Sequence, residues 1–465
     1  VVVGLGQGRQ RLPREVRLRA DDVEEEADRH EISENRQGSG GITGLGGYSA
    51  GSTTEPEGTV KLSRLALVAL VAGCADGTGE IDPDAVTNDA RPAKRSEVIA
   101  VPDAATGTIV IYGGNDGPVV NQRSSAQFRK DTWVFEPGIG WTEVVSDTDP
   151  GKRGRYAAVN DGNGRMLIFG GRFRKKNTTG FYDLFNDVWA FDFADRTWTE
   201  LDDGSGDAPD ARYYPAGAWD ASAGRFYIWG GATNQDPLII EPSAELWSWS
   251  DDEGWLQHEV GGDEPSRRMF FGDTYDSKRN RLIVFGGQRG DFSSLAFHDL
   301  YALDLNDFTW ERLHDGESSK APSTRMHGAV QYDELRDRYL LFGGHTDLGD
   351  ANDLWEFDPE SKRWSVVYRG DKIVGQGFGC IGNESEVPAD YVEQDVTAPE
   401  RRHRGMHALF GDSLWIFGGM HAECSDHLDD TWRYDLATDA WVEIIEARTG
   451  ESCLRRGDDC ACLCL

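Results

Sequence analysis

The chain has 465 residues, 38% of them hydrophobic, and carries 48 Lys and Arg against 81 Asp and Glu, a formal net charge of −33. That balance excludes nucleic acid as a partner, because holding a polyphosphate needs a basic footprint. The length suits one large repeat domain with tails. The charge serves solubility or selects cationic ligands and metal ions.

Residues 1–59 are rich in Gly, Arg and Glu and have no hydrophobic period. They are expected to be disordered or untranslated. The chain begins with Val1, and its first Met is Met166. At Val60 a different pattern starts: Lys61 and Arg64, then an apolar run from Leu65 to Ala72, then Val71-Ala72-Gly73-Cys74. Residues 60–74 resemble a bacterial lipoprotein signal peptide, with translation expected from Val60. The resemblance implies lipidation of Cys74, export to the bacterial envelope, and membrane contact through the lipid alone. Residues 75–94 read as a flexible tether.

From residue 95 to 445 the chain repeats. Six glycine pairs, Gly113-Gly114, Gly170-Gly171, Gly230-Gly231, Gly286-Gly287, Gly343-Gly344 and Gly418-Gly419, are spaced by 57, 60, 56, 57 and 75 residues. Such a period marks a repeat architecture. Each pair follows an apolar, β-branched and aromatic run, such as Met166 to Phe169 or Leu282 to Phe285. Strands buried on both faces read this way. Two aromatic series follow the pairs: Trp133, Trp189, Trp247, Tyr301, Trp355 and Trp432, then Trp141, Trp198, Trp255, Trp310, Trp364 and Trp441. Eleven of the 15 Trp fall in these series, which points to one large side chain wedged between neighbouring sheets in every unit. Each unit opens on an Arg eight residues before an Asp, from Arg95/Asp103 to Arg404/Asp412, with turn residues after most of the Asp.

Each unit is therefore four strands, A to D, and six such units predict an all-β, six-bladed propeller of antiparallel blades. The Gly-Gly after an apolar strand, the aromatic-hydrophobic-Asp sequence (Phe191-Asp192, Leu303-Asp304, Phe357-Asp358, Tyr434-Asp435) and the closing Trp resemble the kelch repeat family. Blade 1 departs with Phe135-Glu136, blade 3 with Ser250-Asp251 and blade 4 with Tyr301. No spare strand is visible, so blade 1 is expected to close on blade 6 directly.

Between the second Gly and the strand C aromatic the gaps are 19, 18, 16, 14, 11 and 13 positions. The B–C and D–A connections share one face, and long loops on a rigid scaffold are where binding sits. There, Arg172-Phe173-Arg174-Lys175-Lys176, Tyr182, Arg289 and Phe292 suit stacking on sugar rings or capture of acidic groups. The kelch resemblance implies a ring of Arg95, Arg153, Arg212, Arg268, Arg325 and Arg404 at the channel mouth, able to hold a carboxylate or acidic peptide. Pairing with Asp inside each blade is the other reading, and sixfold repetition favours it.

No cofactor is required, but His345, His421, His427 and Asp426 offer donors for a divalent metal. Cys380, in the insertion at 365–403, and Cys424 are expected to form a disulfide in an exported protein. The tail, 446–465, has Cys453, Cys460, Cys462 and Cys464 at spacings unlike a zinc site. The leading functional expectation is a monomeric module that binds a glycan or a protein. A sugar isomerase of the sialic-acid mutarotase type, using Glu97 and Arg155 in the channel, and a structural envelope protein are the alternatives.

Overall fold

The computed structural model of the protein describes residues 86, 88, 90–117, 127–175, 181–236, 241–290, 296–371, 395, 397–421 and 426–448. The signal-like segment with Cys74, the cysteines Cys380 and Cys424, Phe292 and the four tail cysteines lie outside them. No helix among the described residues is long and apolar enough to cross a membrane.

Six four-stranded antiparallel blades follow one another in chain order, each running A-B-C-D. Strand B of each is the apolar run ending at the glycines: Thr108–Tyr112, Arg165–Phe169, Arg225–Ala232, Arg281–Phe285, Arg338–Thr346 and Ser413–His421. Side chains on both faces of these runs are buried, as their continuous hydrophobicity predicts. In blades 5 and 6, strands B and C continue past the glycines through a bulge and form long hairpins. The gap counted there as loop is largely strand. Strand D of blade 5 runs Arg363–Tyr368, so the insertion begins only after it.

All twelve paired glycines have positive φ. The reason lies between blades. In every blade but the third, the second glycine donates its N–H to the carbonyl of the arginine that clasps the next blade, as in Gly114 to Arg153 (2.9 Å) and Gly344 to Arg402 (2.9 Å). A Cβ on Gly113 would stand 2.6 Å from the Arg153 oxygen. Gly419 donates to Arg95 at 3.0 Å and closes the ring. Blade 1 meets blade 6 with no strand exchanged among the described residues.

The strand D tryptophans hold neighbouring blades together. Each packs on the aromatic that precedes the glycine pair of the preceding blade: Trp198 on Tyr112 (4.8 Å between ring centroids), Trp255 on Phe169 (4.9 Å), Trp310 on Trp229 (4.9 Å), Trp364 on Phe285 (5.4 Å), Trp441 on Phe342 (5.1 Å) and Trp141 on Phe417 (4.9 Å). The strand C aromatics do something else. Trp133, Trp189, Trp247, Trp355 and Trp432 donate their indole N–H to the acid two residues earlier: Asp131, Asp187, Glu245, Asp353 and Asp430.

Candidate functional site

The opening arginines do not form a binding ring. Arg95, Arg153, Arg212, Arg268 and Arg325 are at most 1% exposed. Each donates to the first glycine carbonyl of its own blade and to the acid before the strand C aromatic, for example Arg325 to Gly343 (3.0 Å) and Asp353 (2.7 and 3.0 Å). The ring reading is corrected accordingly: these guanidinium groups are internal clasps with no free face. The acids that hold them, Asp131, Asp187, Glu245, Asp299 and Asp353, stand in a repeated acid-x-aromatic pattern in the sequence.

In blade 6 the clasp is Arg402, not Arg404. Arg402 bonds Gly418 (2.8 Å) and Asp430 (2.6 and 2.6 Å). Strand A of this blade ends at Phe410 and turns through Gly411 and Asp412 alone. Asp412 therefore sits in the turn, where it pairs with Arg336 at 2.8 Å, and its spacing from Arg404 is coincidental.

Two residues after each clasp the backbone enters the left-handed region. The six residues there are Glu97, Arg155, Tyr214, Phe270, His327 and Arg404, with φ between 53° and 67°. Non-glycine residues rarely adopt it, and six in register mark an imposed conformation. Backbone bonds join several neighbours among them: Arg155 to Glu97 (2.9 Å), Tyr214 to Arg155 (2.8 Å), His327 to Phe270 (2.6 Å). All six line a central cavity of 720 Å³.

One side of this ring is cationic. Glu97 Oε1 pairs with Arg155 and lies 3.3 Å from Arg172 and 3.7 Å from Arg404. Burial would raise the Glu97 pKa, yet Arg155, Arg172 and Arg404 together hold it well below the usual carboxylate range. Such a carboxylate stays ionised near neutrality and does not act there as a general acid. Arg404 also donates to His327 Nε2 at 3.2 Å. Burial, reinforced by Arg404, pushes the His327 pKa well down, so the ring nitrogen stays an acceptor.

The basic stretch of blade 2 joins this cluster. Arg172 and Phe173 pair as a short ribbon with Asp183 and Leu184. Arg172 lies 4.0 Å over the Tyr182 ring and Arg174 4.7 Å from it, while Tyr182 also meets Phe128 and Tyr213. Arg155 caps Tyr214 at 4.3 Å. Three guanidinium nitrogens here, Arg155 Nε, Arg172 Nε and Arg174 Nη1, are buried without a hydrogen-bond partner among the described residues. Arg289 is exposed near Phe297 in blade 4 and takes no part in this cluster's contacts.

Deeper in the channel stands Asp273. It accepts one hydrogen bond, from the Gly217 N–H at 3.1 Å, in a stretch lined by Trp219 and Tyr275. Burial pushes its pKa up to about 7. An unfolded Asp titrates near 4, so between about pH 4 and 7 the folded chain holds a proton that the unfolded chain has lost. Its contribution to stability therefore falls as pH rises through that window. Asp273→Asn is expected to shrink the stability lost between pH 5 and pH 8 by about 2–3 kcal/mol. Denaturant titrations of both proteins at the two pH values check this, and equal losses would refute it.

The metal donors named from sequence separate. His345 is buried beside Asp350 and His403. His427 lies elsewhere on the blade 1–6 seam, with Nε2 3.0 Å from Ser96 Oγ. His421 and Asp426 are cross-strand partners in the backbone register of blade 6.

A profile described as the KLHDC2/KLHL20/DRC7 Kelch-repeats domain matches residues 83–234 and 217–380, and a Kelch motif profile matches 401–444. Kelch domain-containing protein 1 of Mus musculus is 26% identical over 274 residues, 47% of this chain and 65% of the mouse protein. The leucine-zipper-like transcriptional regulator 1 homolog of Drosophila melanogaster is 25% identical over 359 residues, 74% of this chain and 31% of the fly protein. Kelch domain-containing protein 3 of Bos taurus is 23% identical over 329 residues, 67% of this chain and 75% of the bovine protein. The chain thus spans less than two thirds of the mouse and fly relatives. With matched repeats in all six blades and their ring in the structure, the chain belongs to the kelch-repeat β-propeller family.

Proposed function

We propose that the propeller is a protein-binding module that seats an acidic side chain of its ligand at the channel mouth, where the B–C and D–A connections meet. The observation that carries this reading is the grouping of Arg155, Arg172 and Arg404 around the single carboxylate of Glu97. Three cations against one anion, in a place shielded from water, leave a local field that attracts a further carboxylate. The channel mouth does this inside a chain whose net charge is −33, so the field is local and selective. Tyr182, Tyr213, Tyr214 and Phe270 add aromatic surface suited to a peptide.

The test is the thermal stability of the full chain against acidic and neutral peptides of equal length, with sialic and uronic acids alongside. A ligand at 100 times its dissociation constant adds about 2.7 kcal/mol. Acidic peptides are expected to stabilise the wild type, and Arg404→Gln or Arg174→Gln to weaken their binding by tenfold or more, about 1.4 kcal/mol. Equal stabilisation by neutral peptides, a response to acidic sugars alone, or unchanged affinity in both variants would overturn the proposal.

A further inference from the structure

We propose that His345, Asp350 and His403 form a binding site for one divalent transition-metal ion of the zinc type. The three residues come from two segments. His345 is next to last in strand B of blade 5, and Asp350 is second in its strand C directly opposite, as a cross-strand pair of one hairpin. His403 follows the clasp Arg402 and bonds its backbone to Met420 of blade 6 in both directions. The fold brings them together at the junction of two blades, and their ligand atoms all lie within 4.8 Å of one another.

The geometry is convergent. His345 Nδ1 stands 2.7 Å and His403 Nδ1 3.0 Å from the same oxygen, Asp350 Oδ1. The two imidazole rings are 5.4 Å apart. A zinc ion holds nitrogen and oxygen ligands at about 2.0–2.2 Å, so tetrahedral neighbours stand roughly 3.4 Å apart. Opening the present separations by about half an ångström admits the ion, within reach of small side-chain rotations.

Burial strengthens the case. Exposure is 5% for His345, 0% for Asp350 and 1% for His403. The Asp350 carboxylate, fully withdrawn from water, is met by two imidazole nitrogens on one oxygen. Two imidazoles and one carboxylate supply a single negative charge, which a divalent ion more than balances. Two nitrogen donors with one oxygen favour zinc, cobalt or nickel over the oxygen-seeking magnesium and calcium. Three protein ligands leave a fourth position for water or a ligand group, as in catalytic zinc sites. His403 Nε2 is buried and without a hydrogen-bond partner among the described residues, so no second bond fixes this ring in a purely hydrogen-bonded role.

Cobalt(II) is the probe, because its visible absorption reports coordination by nitrogen and oxygen directly. The full chain is stripped with chelator, dialysed and titrated with cobalt(II) alone. The expected result is saturation at one equivalent, with absorption intense enough for a four- or five-coordinate site, and displacement by zinc. His403→Asn is expected to weaken binding by more than about a hundredfold, beyond what the loss of an outer partner costs. His421→Ala is expected to keep it. A wild type that takes up no stoichiometric cobalt overturns the proposal without recourse to any variant. So does binding that survives His403→Asn and is lost in His421→Ala, which would place the ion elsewhere.

Discussion

Arg402→Met is expected to destabilise the propeller by about 3–5 kcal/mol. The cause is the carboxylate left behind rather than the bond removed. Arg402 and Asp430 are 1% and 0% exposed at the side chain and share two bonds of 2.6 Å. Burial penalises the charge of Arg402, but Asp430 more than compensates and raises its pKa. Without the guanidinium, Asp430 keeps only the indole N–H of Trp432, at 2.9 Å, among the side-chain donors described. Gly418 loses a donor to its carbonyl as well. Arg402→Lys is not a rescue, because an ammonium cannot make the parallel pair of bonds to the carboxylate. Removing both charges with Arg402→Met and Asp430→Leu is expected to recover much of the loss. Asp412→Asn, which breaks the partly exposed pair with Arg336 while Arg336 keeps Asp333, is expected to cost less than about 1 kcal/mol. Guanidinium denaturation midpoints of the wild type and the four variants decide it. A single Arg402→Met variant within 1 kcal/mol of wild type would sink the clasp argument.

The clasp also shows what the sequence carried and what it hid. Fold and blade count were legible because packing demands repeat the same residue types: an apolar strand, two glycines at positive φ, and an indole wedged on the preceding blade. The arginines were legible too, but not their partner. Asp103 and its counterparts at the A–B turns recur with equal regularity, so spacing alone could not choose between them and the acids before the strand C aromatics. The choice is made by three-dimensional pairing, in which Arg95 reaches Asp131 while Asp103 accepts bonds from Thr106.

The channel mouth was hidden for the opposite reason. Its six residues share a backbone conformation and no chemistry. Glu97, Arg155, Tyr214, Phe270, His327 and Arg404 form no motif, and their common property, a left-handed φ, leaves no mark on residue type here. Each stands two residues after its clasp, a count that blades 1 to 5 share and that blade 6 conceals, because its shorter A–B turn shifts the apparent register by two. Likewise His345 stood out as a donor, but Asp350 and His403 lie at positions that no single repeat defines.

Trp141→Ala, the second large effect, is expected to cost about 3–5 kcal/mol. Trp141 is 1% exposed and packs on Phe135 at 5.1 Å and Phe417 at 4.9 Å. Its indole N–H lies 3.3 Å from Thr431 Oγ1 of blade 6. Phe135 meets Trp415 at 5.0 Å, so this one cluster spans the junction between the first and last blades. No strand crosses that junction among the described residues. Side-chain packing and the backbone bonds of Arg95 with Gly419 and Leu428 must therefore hold the ring shut. A cavity of indole size there loses contacts on both blades at once. Trp255 provides the comparison: it packs on Phe169 at a similar 4.9 Å but is only partly buried, and its junction is covalently continuous. Trp255→Ala is expected to cost less, and Trp141→Phe to keep part of the packing. Amide hydrogen exchange separates seam opening from general loss of stability, because opening accelerates exchange in blades 1 and 6 while blades 3 and 4 stay protected. Uniform acceleration in all six blades, or an equal cost for the two alanine variants, would mean that the seam is no weaker than the other five junctions.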